Sequence, residues 1–355
     1  MKYHLYLVMI VGLIACNTPK KKPVIEEVRL EQSVELDVPN QLSTWDLFEQ
    51  PLNKLIPKKD ILPYELNTPL FTDYALKSRF IKIPDGNPAE YVQEEVMDFP
   101  KGTILIKNFY YESDLTLENS SRKLIETRLL IHENDGWNAL TYVWNEEQTD
   151  AYLEISGATI PVSWVNEQGV AMNVNYSVPN LVQCKSCHEL SGKMTPIGPT
   201  ARQLNKKYDY ASGNQNQIDK WKATGMLTSV PPLEEVPKLP AWNDPSTGTT
   251  AQRARAWLDI NCAHCHRLEG PAKNSGLYLR YSETDEYRLG VNKPPVAAGR
   301  GSGGMKYAIV PGHPEQSILI HRMESLDPGV MMPELGRKLV HKEGVELVKR
   351  WISEM

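Results

Sequence analysis

Cysteine is scarce in this chain: there are five in 355 residues, four of them within the segments 184–187 and 262–265, which leaves Cys16 with no obvious disulfide partner. Charge of either sign is not in large excess. The formal net charge is −5 and lysine and arginine are scattered, so no basic face is marked out for nucleic acid. The apolar run from Leu5 to Ala15 is too short to span a bilayer as a permanent helix. A βαβ pattern of the thioredoxin kind is missing too, and the glycine-rich stretch "AAGRGSGGMKY" at 297–307 lacks the spacing of a phosphate-binding loop. What remains is an ordinary globular composition, 41% hydrophobic, long enough for two or three domains.

The start of the chain stands apart. Lys2, the apolar run and "LIAC" at 13–16 resemble a bacterial lipoprotein signal, which implies removal of residues 1–15 and acylation of Cys16. A plain secretory signal with a chance cysteine is the other reading. Residues 16–40, opening "NTPKKKP", have no sustained apolar period and read as a lipid-anchored tether.

Residues 41–177 carry short alternating runs bounded by turn residues, which predicts an all-β domain, a sandwich or jelly roll. In "KLIETRLLIHENDGWNALTYVW" at 123–144, Ile125, Thr127, Leu129 and Ile131 are expected on one face and Leu140, Tyr142 and Trp144 on the returning strand, with the turn at Asp135-Gly136. A second hairpin is predicted from Ile160 to Tyr176, turning at "NEQG". Trp137, Trp144 and Trp164 are assigned to the β core. From Val178 the strand signal fades and helical segments with long loops follow. Five prolines between Pro231 and Pro245 suggest a boundary, giving two small, mainly α domains at 178–240 and 241–355. The closing "EGVELVKRWISEM" has the apolar stripe of a packed helix.

The chemistry is concentrated in "VQCKSCHELSG" at 182–192 and "DINCAHCHRLEGPA" at 259–272. Cys-x-x-Cys-His is the attachment pattern of c-type haem: two thiols bond the vinyl groups and the following histidine ligates the iron. Zinc would most simply take Cys184, Cys187, Cys262 and Cys265 together, which leaves both following histidines unexplained. A redox Cys-x-x-Cys does not require the histidine either. The pattern therefore predicts two covalent haems, with His188 and His266 as proximal ligands. His264, at a variable position of the second motif, reads as a spacer.

Sixth ligands decide whether such irons transfer electrons or bind small molecules. For the His266 haem the leading candidate is Met332 in "DPGVMMPELGR", with Met331, Met323, His313, His321 and His341 as others. For the His188 haem it is Met226. An open or differently ligated iron, Met194, Met172 or a histidine from another domain remain alternatives. Arg300, in the 297–307 loop, is a candidate for holding a haem propionate, although a plain flexible loop is the default reading there.

With "YELNTPLFTDYALKSRFIKIPDG" at 64–86, "IETRLL" at 125–130 and the two motif regions, the chain resembles diheme c-type cytochromes that carry an N-terminal β-rich domain. The resemblance implies haem attachment at Cys184, Cys187, Cys262 and Cys265, proximal ligation by His188 and His266, and Met332 as distal ligand in the second segment. The expected function is one-electron transfer between redox partner proteins by a lipid-anchored protein of a bacterial cell envelope, on the periplasmic side or cell surface. A diheme peroxidase-like enzyme with one open iron is the alternative. No acid-base constellation stands beside either motif, which favours transfer.

Overall fold

The computed structural model describes residues 38–355. The signal segment, Cys16 and most of the tether lie outside them. Residues 39–355 form one compact unit, and no helix among the described residues is long and apolar enough to cross a membrane.

The alternating runs do become strands. β1 (Ile61–Tyr64), β2 (Leu76–Lys82), the two-residue β3 (Ala89–Glu90), β4 (Ile104–Glu112), β5 (Arg122–Glu133), β6 (Gly136–Trp144) and β7 (Ala151–Leu153) follow one another, and all but β3 join an antiparallel sheet in the order β1-β2-β4-β5-β6-β7. β8 (Ala158–Val165) and β9 (Ala171–Val178) form a separate hairpin around Asn166–Gly169. The β5–β6 turn falls on Asn134 and Asp135, and Gly136 starts the return strand at φ +124°, a conformation that favours glycine.

One face assignment is corrected by a bulge. Phe109 pairs with Glu126 but Tyr110 with Leu124, so Ile125 is the extra residue of β5. Leu129 and Ile131 pack with Tyr142 and Trp144 on one side of the sheet, joined by Leu124. Ile125 is turned instead toward Phe109, Tyr111 and Tyr176.

The helical part differs more deeply from expectation. It contains α1 (Leu181–His188), the small hairpin of β10 (Glu189–Leu190) and β11 (Lys193–Met194), α2 (Ala201–Leu204), β12 (Lys207–Tyr210), β13 (Gly213–Asn216), α3 (Gln217–Ala223) and β14 (Leu227–Thr228). Then come α4 (Thr250–Cys262), α5 (Glu286–Leu289), α6 (Ile318–Glu324) and α7 (Lys342–Ser353). Two small, mainly α cytochrome-like domains are not what these elements build, and neither is a β-sandwich or jelly roll set apart from them. The physical reason is that the first segment has too few apolar residues for its own core. Its Ala201, Leu204, Ile218, Trp221 and Leu227 share one cluster with Ile81, Leu105 and Leu130 of the sheet and with Ile260 of α4. β14 even extends β3 in parallel. The prolines between 231 and 245 do not form a free linker: Leu239 N–H donates to the Arg202 carbonyl, Asn205 Nδ2 to the Val236 carbonyl, and Thr68 Oγ1 to the Pro240 carbonyl.

α4, α6 and α7 share a second cluster in which Val345, Val348, Trp351 and Ile352 are buried, as the closing stripe predicts. The sheet side grips this cluster through residues 71–74. Phe71 N–H donates to Asn261 Oδ1, and the amides of Lys338 and Leu339 both donate to Asp73 Oδ1 at 2.7 Å. His341 sits in the joint, stacked on Phe71 at 4.3 Å and accepting at Nδ1 from Trp257 Nε1.

Burial lowers the His341 pKa from 6.5 to about 4, with Glu343 opposing. The folded state thus favours the neutral ring. Its contribution is complete above pH ~6.5 and lost as pH falls toward 4, at most about 3 kcal/mol. His341→Gln, which keeps an acceptor for Trp257, is expected to flatten this acid limb in denaturant titrations run at a series of pH values. Parallel wild-type and variant profiles would count against this role.

Candidate functional site

Each motif is presented by the end of a helix. α1 begins with a reciprocal cap between Asn180 and Gln183, and α4 with the same arrangement between Thr249 and Gln252. These caps fix where each helix starts and hence where its cysteines fall. Cys184 and Cys262 are buried against the body, at 8% and 9% exposure. Cys187 and Cys265 are half-buried. Burial raises all four thiol pKa values, those of Cys262 and Cys265 to about 12.

The two motifs meet across one cavity of about 440 Å3, within the ~300–1,000 Å3 of small-molecule and cofactor sites. Cys187 and His188 line it from the first motif, Ala263 and His264 from the second, and Ile260 from α4. A backbone bond from Ser191 N–H to the Glu269 carbonyl, 2.9 Å, ties the segments together beyond the motifs. Gly270 permits the tight turn after the second motif: a Cβ there would stand 2.4 Å from the Cys265 carbonyl oxygen.

The histidines are neutral and oriented. His188 Nδ1 is 2.9 Å from the Thr195 carbonyl oxygen, which leaves Nε2 available to a metal. Burial lowers its pKa to about 4, opposed by the Thr195 bond and aided by Lys107 and Arg128. His266 Nδ1 lies 3.2 Å from Ser275 Oγ, and burial and Arg322 bring its pKa to about 4 as well. His264, read as a spacer, has a defined place in this fold. It faces the cavity, its buried Nδ1 has no hydrogen-bond partner among the described residues, and burial and the nearby His188 and His266 lower its pKa to about 4. Trp137 packs against the first cluster, as assigned, and also stacks on His132 at 4.6 Å in the cavity wall.

The walls also hold Thr200 Oγ1, Arg202 Nε, Gln203 Nε2 and Arg280 Nε, all buried without partners. Cys187 and His188 are the attachment residues that reach this wall, the guanidinium ends of Arg202 and Arg280 are paired with Glu94, Asp259 and Glu95, and the four orphaned atoms leave hydrogen-bonding capacity for a bound polar group. Two thiols and a following histidine in each motif are the residue types a c-type haem requires. By contrast, no group of three or more His, Cys, Asp or Glu among the described residues is placed to hold a metal ion by itself, so the four-thiol zinc arrangement is not assembled.

Over the second motif lies the loop bearing Met332. Arg337, 5% exposed, donates through Nη2 to the carbonyls of Ser325 and Met332, and Met332 N–H donates to the Arg322 carbonyl at 2.9 Å. Arg322 bears on the ionisation of His266, and Arg337 on that of Cys262. Met332 is half-buried, whereas Met331 and Met323 are buried. His313 is exposed beside Glu315, and His321 packs against Gly303. Met226 and Met194 pack onto the shared first cluster and Met172 onto the β8–β9 side, and none of the three lines the cavity. Arg300 is exposed and forms a bidentate pair with Asp327.

The chain matches no protein-family model, no curated protein and no solved structure.

Gly270→Ala is expected to lower stability by about 2 kcal/mol or more, since the added methyl collides with rigid backbone of the second motif. An unchanged denaturation midpoint would show that the turn can open without cost.

Proposed function

We propose that this protein is a diheme c-type cytochrome, anchored to a bacterial envelope membrane through Cys16, that passes single electrons between redox partner proteins. The observation that carries the reading is the meeting of two Cys-x-x-Cys-His turns across one cavity whose walls hold unpaired buried donors. A covalent haem supplies reversible one-electron chemistry at its iron. Cys184, Cys187, Cys262 and Cys265 would fix two such groups, and His188 and His266, held neutral by burial and turned by Thr195 and Ser275, would ligate them. Met332 would supply a sulfur to the second iron from a loop braced by Arg337. Ile260, Trp137 and Phe99 supply apolar surface within the cavity wall. Because residues 39–355 form one unit, passage between the two sites would be intramolecular, while partners would meet the protein through small transient interfaces.

Intact mass of the membrane fraction should show two haem additions plus acyl mass, each pair of Cys→Ala changes removing one haem and Cys16→Ser releasing the protein to the soluble fraction. Zinc in place of haem would overturn the cofactor assignment.

Met332→Ala should lower one of two reduction potentials and admit carbon monoxide at that iron, with both haems still attached. An unchanged redox titration would assign the sulfur elsewhere. Carbon monoxide or peroxide binding at an iron of the wild type would favour the peroxidase-like reading.

Rapid mixing with a reductant should show a donor-dependent phase followed by a concentration-independent one. Two purely donor-dependent phases would exclude an internal relay.

A further inference from the structure

One feature of the sheet has no role in the reading above. Across four neighbouring strands, the directly paired positions are Arg79 on β2, Lys107 on β4, Arg128 on β5 and Thr141 on β6. Three cations therefore stand side by side in the pleat, and Lys77 joins them one repeat along β2. Like charges directly opposite one another destabilise a sheet, and burial makes the repulsion worse.

The usual remedies for such a row are incomplete. Arg128 is paired with Glu126 through its Nε at 2.9 Å, and Glu126 also accepts from Tyr176 Oη. Lys107 and Arg128 lie over the Phe109 ring at 4.7 and 4.4 Å. Among the described residues, however, neither Arg79 nor Lys107 has a carboxylate partner. Arg79 is only 7% exposed, and its Nη2 is buried with no hydrogen bond. Solvent does not offset that charge as it would on an open face.

The row lies beneath the first motif. α1 packs on β6, and Lys107 and Arg128 are near enough to influence His188, and Arg128 to influence Cys184.

Resting on the cytochrome reading, we propose that the Arg79–Lys107–Arg128 row is a binding site for the propionate carboxylates of the haem carried by Cys184 and Cys187. The β sheet is then the anionic-edge platform for that cofactor, in which carboxylates supply the negative charge the strands lack. Arg300, already committed to Asp327, is not needed for this task.

The test uses the full-length haem-loaded protein, with Lys107→Gln and the double change Arg79→Gln/Lys107→Gln. Two haems should remain attached, because the thioethers do not involve these residues. One of the two reduction potentials should shift downward, since fewer cations then stabilise the extra electron. It should be the potential that Met332→Ala leaves unchanged, and the shift should be larger in the double variant. The infrared carboxylate bands of the haem propionates should move as well, and Arg79→Lys should retain most of the wild-type values. If the double variant does not accumulate, Lys107→Gln alone should give the smaller shift of the same sign.

Unchanged potentials and propionate bands in variants that carry both haems would overturn the proposal. So would phosphate-dependent stabilisation of the wild type that Lys107→Gln abolishes, because the row would then hold a free anion. Failure of the cytochrome reading itself looks different: the wild type would carry no haem mass.

Discussion

The seam between the sheet and the two motif helices is the constraint on which the rest depends. His188, His264 and His266 are all held neutral by burial. Neither motif segment has enough apolar surface to bury its own residues alone. The shared cluster that joins Trp221, Leu105 and Ile260 is the consequence. So is the grip of Phe71 and Asp73 on the second segment, which closes the far end of the seam.

Local elements were legible in the sequence because local rules decide them. The hairpin at 158–178 and the closing helix fall where alternation and an apolar stripe place them. What could not be read was which apolar face would meet which. Leu204 and Ile218 look the same in sequence whether they close a small domain of their own or complete a sheet's core. The bulge at Ile125 was hidden for a related reason: one inserted residue reverses a face without changing composition.

The candidate site was partly legible. The cysteines and the histidines that follow them announce themselves by spacing, but His264 lies inside a motif and reads as filler until its cavity is seen. Lys77, Arg79, Lys107 and Arg128 were equally visible as letters. Charged residues alternating along strands normally mark a solvent face, and only pairing registers and burial reveal three cations abreast beneath a helix. Trp137 does pack on a core cluster, and its stacking on His132, which also places it in the cavity wall, could not be read from the sequence.

The burial of Cys184 and Cys262 also bears on the order in which such a molecule can be made. A thiol sealed under a helix and pushed toward the neutral form is a poor nucleophile, and a porphyrin has no route to it through a closed core. On the cytochrome reading the chain must meet its cofactors while still open, and folding then wraps the sheet and helices around groups already bonded. The cavity is in that sense a mould filled before it sets. On that reading, a chain that closed empty would have to reopen around Cys184 and Cys262 to take up haem.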